Sequence, residues 1–196
     1  MKLNDYTHWV FDMDGTLTIA VHDFAAIRRA LEIPATSDIL HHLASLPEAE
    51  RQAKHAWLLE HERELAVGAQ PAPGAVELIE RLRRQGCMLG ILTRNAQELA
   101  YITLEAVGLG DCFDRSDVLG RDEAPPKPHP GGLRHFSDCW RVEPWEMVMV
   151  GDHRMDLECG RAAGTRTILV NSPTNSWPEL ADWHVQDCFA LACLLD

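Results

Sequence analysis

The sequence predicts an α/β fold: a parallel sheet covered by helices on both faces, with an all-helical insertion after the first strand. Three observations predict it. A short run of β-formers at residues 6–11 ends on the acidic stretch FDMDGTLT. Residues 22–69 then read as almost entirely helical. From residue 74 onward, short apolar runs alternate with amphipathic helical stretches.

The first strand, residues 6–11, is short and apolar, as a buried strand should be. In the insertion, residues 23–31 form one helix, stopped by Pro34, and residues 37–43 a second. Ser45 and Glu48 have the spacing of a capping box ahead of a long helix to about Val67. Its apolar stripe is expected at Ala49, Ala53, Ala56, Trp57 and Leu65, with Trp57 in the core of the insertion. The segment GAQPAPG at 68–74 reads as a linker.

After it the alternation begins. Helices are expected at 76–84, 96–107, 132–139 and 155–163. Gly86, Gly108 and Gly164 close the first, second and fourth. Strands are expected at 87–92, 116–119, 147–150 and 167–170. Strands that alternate with helices imply right-handed crossovers and a Rossmann-like parallel sheet.

Composition bounds the function. The chain has 196 residues and a formal net charge of −12, which argues against nucleic acid or an anionic membrane as partner. No apolar run approaches the roughly 18 residues of a membrane span. The N-terminus carries Asp5, Asp12 and Asp14 where a signal peptide needs an apolar stretch. A cytoplasmic protein is therefore expected. Six cysteines without a CxxC pair read as free thiols. Trp177 and Trp183 are compatible with burial or with a contact surface, so monomer and homodimer both stay open.

The polar residues at strand ends carry the chemistry. Asp12 ends the first strand, Thr93 the second, and Asp152 follows 147–150, while Lys127 follows 116–119 within APPKPHP. In an open α/β sheet, ligands bind beyond the carboxyl ends of the strands. These residues should therefore converge. Asp12, Asp14, Asp152 and Asp156 outweigh Lys127 in charge, so the cluster needs a counter-cation. Oxygen-only ligands favour Mg²⁺. A carboxylate can also attack phosphorus, and a second can move protons for the leaving group and then for water.

FDMDGTLT, Thr93 in ILTRN, Lys127 in KPHP and GDHRMD at 151–156 resemble, in order and position, the four motifs of the haloacid dehalogenase superfamily. The chain is most similar to its phosphoglycolate-phosphatase-like branch. That resemblance implies a Rossmann-like core at 1–17 and 73–196 with a small all-helical cap at 18–72. It implies Asp12 as nucleophile and Asp14 as general acid/base. Thr93 and Lys127 would hold the phosphoryl group. Mg²⁺ would be bound by Asp12, the backbone carbonyl of Asp14, Asp152 and Asp156, the last directly or through water. The implied activity is a Mg²⁺-dependent phosphatase acting on a small phosphorylated metabolite through an aspartyl-phosphate.

Two residues depart from the family pattern. Arg94 follows Thr93 where small or amide residues are frequent, and is taken as an anion contact, a further phosphate-binding candidate. His153 stands where Ser is common. The insertion is also short, so the cap is expected to cover the site loosely and admit larger substrates. His129 and His153 are near the site in sequence, with substrate contact and surface roles both open. His41, His42, His55 and His61 read as solvated, since His55 and His61 are six apart and miss the i,i+4 spacing. Two other functions are weighed. A mutase on the same scaffold would return the phosphoryl group to substrate. A non-catalytic phospho-acceptor module would hold it, but such receivers carry the acceptor Asp on the third strand and lack the helical insertion.

Overall fold

The computed structural model describes residues 2–21 and 23–195. Six parallel strands form one sheet in the order β3-β2-β1-β4-β5-β6. They are β1 (His8–Phe11), β2 (Met88–Leu92), β3 (Val118–Leu119), β4 (Met147–Gly151), β5 (Arg166–Leu169) and β6 (Trp183–His184). The helices of the main body are α4 (Ala75–Arg84), α5 (Gln97–Ala106), α6 (Gly131–Trp140), α7 (Arg154–Ala163) and α8 (Cys188–Cys193). Between β1 and α4 lie α1 (Phe24–Ala30), α2 (Ile39–Ala44) and α3 (Glu48–Val67).

The strands are apolar on both faces because both faces are covered. Trp9, Phe11, Leu89, Ile91, Val148 and Val150 pack into one cluster with residues of α4, α5 and α8. Val10, Leu92, Met147 and Met149 join Leu133 and Phe136 of α6 and Cys159 of α7 in the other. Alternate residues thus enter opposite layers, as the period-2 geometry of a strand requires. Packing is tight at Gly90, where an added Cβ would lie 2.8 Å from Phe136.

The topology fixes where a ligand can sit. β1 pairs with β2 on one side and β4 on the other. The chain winds outward to β3 from one side of β1 and to β6 from the other. The crevice at the carboxyl end of β1 and its neighbours is the switch point of the sheet.

The helical segment has its own small core of Ile27, Leu31, Ile33, Leu43 and Leu58. Its two connections to the main body are paired: Ala72 N–H donates to Leu17 O at 2.9 Å and Ile19 N–H to Gln70 O at 3.0 Å. The longest helix differs from expectation. Trp57 is 42 % exposed and stacks on His61, and Ala49, Ala53 and Ala56 are exposed as well. The buried face is Leu58, Glu62 and Ala66. Leu58 serves the small core, and Ala66 packs against Ala96 and Leu99 of the main body. The expected capping box is absent too. Pro47 is the N-cap of α3, and Ser45 instead donates its hydroxyl to His42 O at the end of α2.

Two elements, β6 and α8, were not expected from the sequence. β6 has two residues and α8 six. Asp187 caps α8 by accepting from Ala190 N–H at 2.7 Å, and Arg81 of α4 donates to Ala192 O and Leu195 O.

Candidate active site

The site begins with the turn after β1. Asp12 N–H bonds Val150 O at 2.9 Å, extending the β1–β4 ladder by one residue and fixing the Asp12 backbone at the sheet edge. The chain then folds sharply: Thr16, Leu17 and Thr18 N–H all donate to Met13 O. Gly15 has φ +89°, and a Cβ there would lie 2.5 Å from Asp152 Oδ2. Glycine is thus required both by the left-handed backbone and by the approach of a carboxylate.

The sequence-predicted residues come together. Asp12, Asp152 and Asp156 each offer an oxygen, all within 4.8 Å of one another. Lys127 is buried between Asp12 and Asp156, 2.7 Å from Asp156 Oδ1 and in direct contact with Asp12 Oδ1. It reaches them from a turn that includes a cis Lys127–Pro128 bond. Thr93 is buried at the end of β2, its hydroxyl accepting from Asn95 N–H at 3.1 Å. Asp14 stands apart from the carboxylate trio, and its Oδ2 accepts from Asn95 Nδ2 at 2.8 Å.

Arg94 lines the same cavity but turns toward the helical segment. Its Nη2 donates to Asp38 Oδ2 at 2.6 Å and its Nη1 contacts Met155 Sδ at 3.2 Å. Arg94 Nε is buried with no partner among the described residues. His153 lines the cavity and caps α7, accepting from Met155 N–H at 3.3 Å. His129 is exposed and accepts from Gly131 N–H, outside the cavity lining.

The electrostatics follow from burial. Asp14 is pushed up to about 7, first by loss of water and then by the charge of Asp12. Asp152 is pushed up to about 7 by burial and by Asp12 and Asp156. Burial alone would lower Lys127, but Asp12 and Asp156 outweigh it and hold the ammonium charged above its ordinary range. One lysine does not neutralise three adjacent carboxylates and Asp14. The donor set is all oxygen, compact and in excess of negative charge, so it fits a hard divalent cation.

Several contributors were not singled out in the sequence. Thr16 donates to Asp152 Oδ1 at 3.0 Å and to Asp12 Oδ2 at 3.4 Å. Asn171, at φ +57°, donates its Nδ2 to both Gly15 O and Thr16 O at 2.8 Å, pinning the turn from beyond β5. Thr16 was visible inside the quoted motif. Asn171 left no local signal beyond the tolerance of Asn for that backbone conformation. The cavity measures about 300 Å³, and its wall away from the carboxylates includes Phe24, Ile27, Leu40 and Leu58 of the helical segment. That segment thus supplies part of the wall of the site.

Comparison with known proteins identifies the family. The family model for haloacid dehalogenase-like hydrolases matches residues 6–164. A haloacid dehalogenase-like hydrolase domain-containing protein of Arabidopsis thaliana is 35% identical over 182 residues, covering 87% of this chain and 73% of the relative. A phosphoglycolate phosphatase of Neisseria meningitidis is 29% identical over 185 residues, 82% of this chain and 78% of the relative. The crystal structure of a predicted phosphoglycolate phosphatase from Haemophilus somnus superposes with a TM-score of 0.78 at 20% identity, covering 99% of this chain and 100% of that one. The chain belongs to the haloacid dehalogenase-like hydrolase family, and within it resembles the phosphoglycolate-phosphatase-like branch.

Proposed function

We propose that this chain is a Mg²⁺-dependent phosphatase that hydrolyses a small phosphorylated metabolite through a phosphoryl group on Asp12. The observation that carries the reading is the cluster of Asp12, Asp152, Asp156 and Lys127 at the switch point, open to a cavity.

Asp12, Asp152 and Asp156 would hold the Mg²⁺, with the backbone carbonyl of Asp14 as a further ligand. When bound, the ion neutralises the carboxylates and draws charge from the phosphoryl oxygens. Lys127 and Thr93 bind the phosphoryl group and orient it in line with Asp12. A carboxylate oxygen of Asp12 forms a bond to phosphorus as the ester P–O bond breaks with its electron pair. Asp14 gives its proton to the departing oxygen. Water then attacks phosphorus and gives a proton to Asp14, while the bond between Asp12 and phosphorus breaks. A carboxyl pushed up to about 7 suits a group that must arrive carrying a proton and leave without it.

Arg94 is assigned to holding the cap against the core, because its guanidinium already has Asp38 as partner. The paired connections at 17–19 and 70–72 favour a cap of residues 18–72 on a core of 1–17 and 73–196. A cavity near 300 Å³ lies at the small end of ligand sites, which favours a compact substrate. Among the described residues no helix is long and apolar enough to cross a membrane. We place the protein in the cytoplasm, as a monomer or homodimer.

The test is phosphate release from a panel of phosphorylated sugars, organic acids and nucleotides, with and without EDTA. Metal-dependent phosphate release without an isomer product supports a phosphatase; isomer formation would make it a mutase. A long-lived phospho-form with negligible turnover would make it a phospho-acceptor.

A further inference from the structure

We propose that Asn95 is a positioning residue for Asp14, and that the cap reaches Asp14 through it by way of Arg121 and Glu62. The inference rests on the reading of Asp14 as the proton-transfer group.

Asn95 is buried, and its backbone N–H, its backbone carbonyl and its side-chain amide nitrogen each have a partner. Its N–H donates to Thr93 Oγ1 at 3.1 Å, its carbonyl accepts from Arg121 N–H at 2.9 Å, and its side-chain Nδ2 donates to Asp14 Oδ2 at 2.8 Å. An amide donor fixed at both ends of its own backbone sets the rotation of the Asp14 carboxyl. Proton transfer needs the carboxyl aimed within hydrogen-bond reach of the leaving oxygen, so that rotation bears on rate.

The second half of the path leads to the cap. Gly120 lets the loop after β3 press onto the start of α5; a Cβ there would lie 2.7 Å from Asn95 O. The next residue, Arg121, places Nη1 3.1 and 3.0 Å from the two carboxylate oxygens of Glu62 in α3. Both side chains are about nine-tenths buried. A buried ion pair of this kind holds one relative placement of its two elements, since separating them strands a charge. The placement of α3 is thereby tied to the Arg121 backbone, to Asn95 and to Asp14. Glu62 is buried in α3 because it makes this link, while exposed alanines occupy the stripe that periodicity favoured.

The test compares two substrates in single-turnover measurements with the Mg²⁺-loaded enzyme. An alkyl phosphate needs a proton on its leaving oxygen; p-nitrophenyl phosphate does not, because p-nitrophenolate departs as an anion. Asn95→Leu removes the donor at similar volume. It is expected to slow alkyl phosphate cleavage by about 10–100-fold, with KM changed less than about threefold, and to slow p-nitrophenolate release less than about threefold. Glu62→Gln is expected to show the same selectivity at a few-fold, and carries the test if Asn95→Leu does not fold. Equal loss on both substrates, or no loss on either, would overturn the inference. Asp14→Asn is the reference. If it shows no leaving-group selectivity, the acid–base reading falls and the inference with it. If it does and the other two do not, the link through Asn95 alone falls.

Discussion

Arg94 Nη2 lies 2.6 Å from Asp38 Oδ2, joining the end of β2 to the N-cap of α2. Asp38 has two duties there, since its Oδ1 also accepts from His41 N–H at 3.0 Å. Asp38→Ala loses both the cap and the ion pair. The pair is about one-third exposed, so solvent screening limits its share. A combined cost of ~1–2 kcal/mol is expected in denaturant unfolding, with KM rising a few-fold as the cavity wall loosens. Asp38→Asn keeps an oxygen for His41 N–H and should cost less than half as much. Equal costs would contradict the dual role.

Lys127 is the counter-charge to the carboxylates when no metal is present. Lys127→Ala leaves Asp12 and Asp156 buried together without it. In EDTA the variant is expected to be less stable by ~3 kcal/mol. Millimolar Mg²⁺ should restore part of that loss but not the activity, which is expected to stay down by at least about 10²-fold because the phosphoryl group loses a contact. Unfolding curves and phosphate release with and without Mg²⁺ measure both. Unchanged stability in EDTA would count against the charge argument.

Asp152 makes the metal-free protein sensitive to pH in a stated direction. Its folded value of about 7 lies above its ordinary 3.8, so between those values the folded state holds a proton that the unfolded state has lost. The contribution of Asp152 to stability therefore falls as pH rises through that window, and the cost is complete above about 7. Asp152→Asn removes the charge. In EDTA it should be more stable than the parent at pH 8 by on the order of 2 kcal/mol, and near parity at pH 4. With Mg²⁺ at pH 8 the order should reverse, because the parent keeps the ligand and gains binding energy. Parallel pH profiles in EDTA would refute the assignment.

Gly15 offers a geometric test. A side chain there meets both a left-handed backbone and the Asp152 carboxylate. Gly15→Ala is expected to lower activity by at least about 10²-fold, through displacement of the carboxylates. The melting temperature should fall by only a few degrees. Retained activity would mean that the turn after β1 has room that the structure denies it.

Much of the site was legible because its residues sit in short motifs at strand ends, where local pattern and topology act together. Asp12 and Asp152 follow adjacent apolar strands, and a parallel sheet places adjacent carboxyl ends side by side. Arg94 was visible as a charge at the right place, but its partner Asp38 is 56 residues away, at the start of α2. Glu62 was invisible as a buried residue for a like reason: Arg121, 59 residues on, makes its burial tolerable. Ser45 and Glu48 have capping-box spacing, yet Pro47 starts the helix and Ser45 closes the one before it. β6 and α8 are too short for periodicity to register, and are held by the sheet edge and by Arg81.

The central claim is that Asp12 takes the phosphoryl group. Enzyme mixed with substrate and Mg²⁺, quenched in acid during turnover and digested, can be read by mass spectrometry. One phosphoryl group is expected on the peptide containing Asp12, lost on treatment with hydroxylamine and absent from Asp12→Asn, whose turnover should be lower by at least about 10³-fold. Full turnover by purified Asp12→Asn, or a phosphoryl group on any other side chain, would contradict the account.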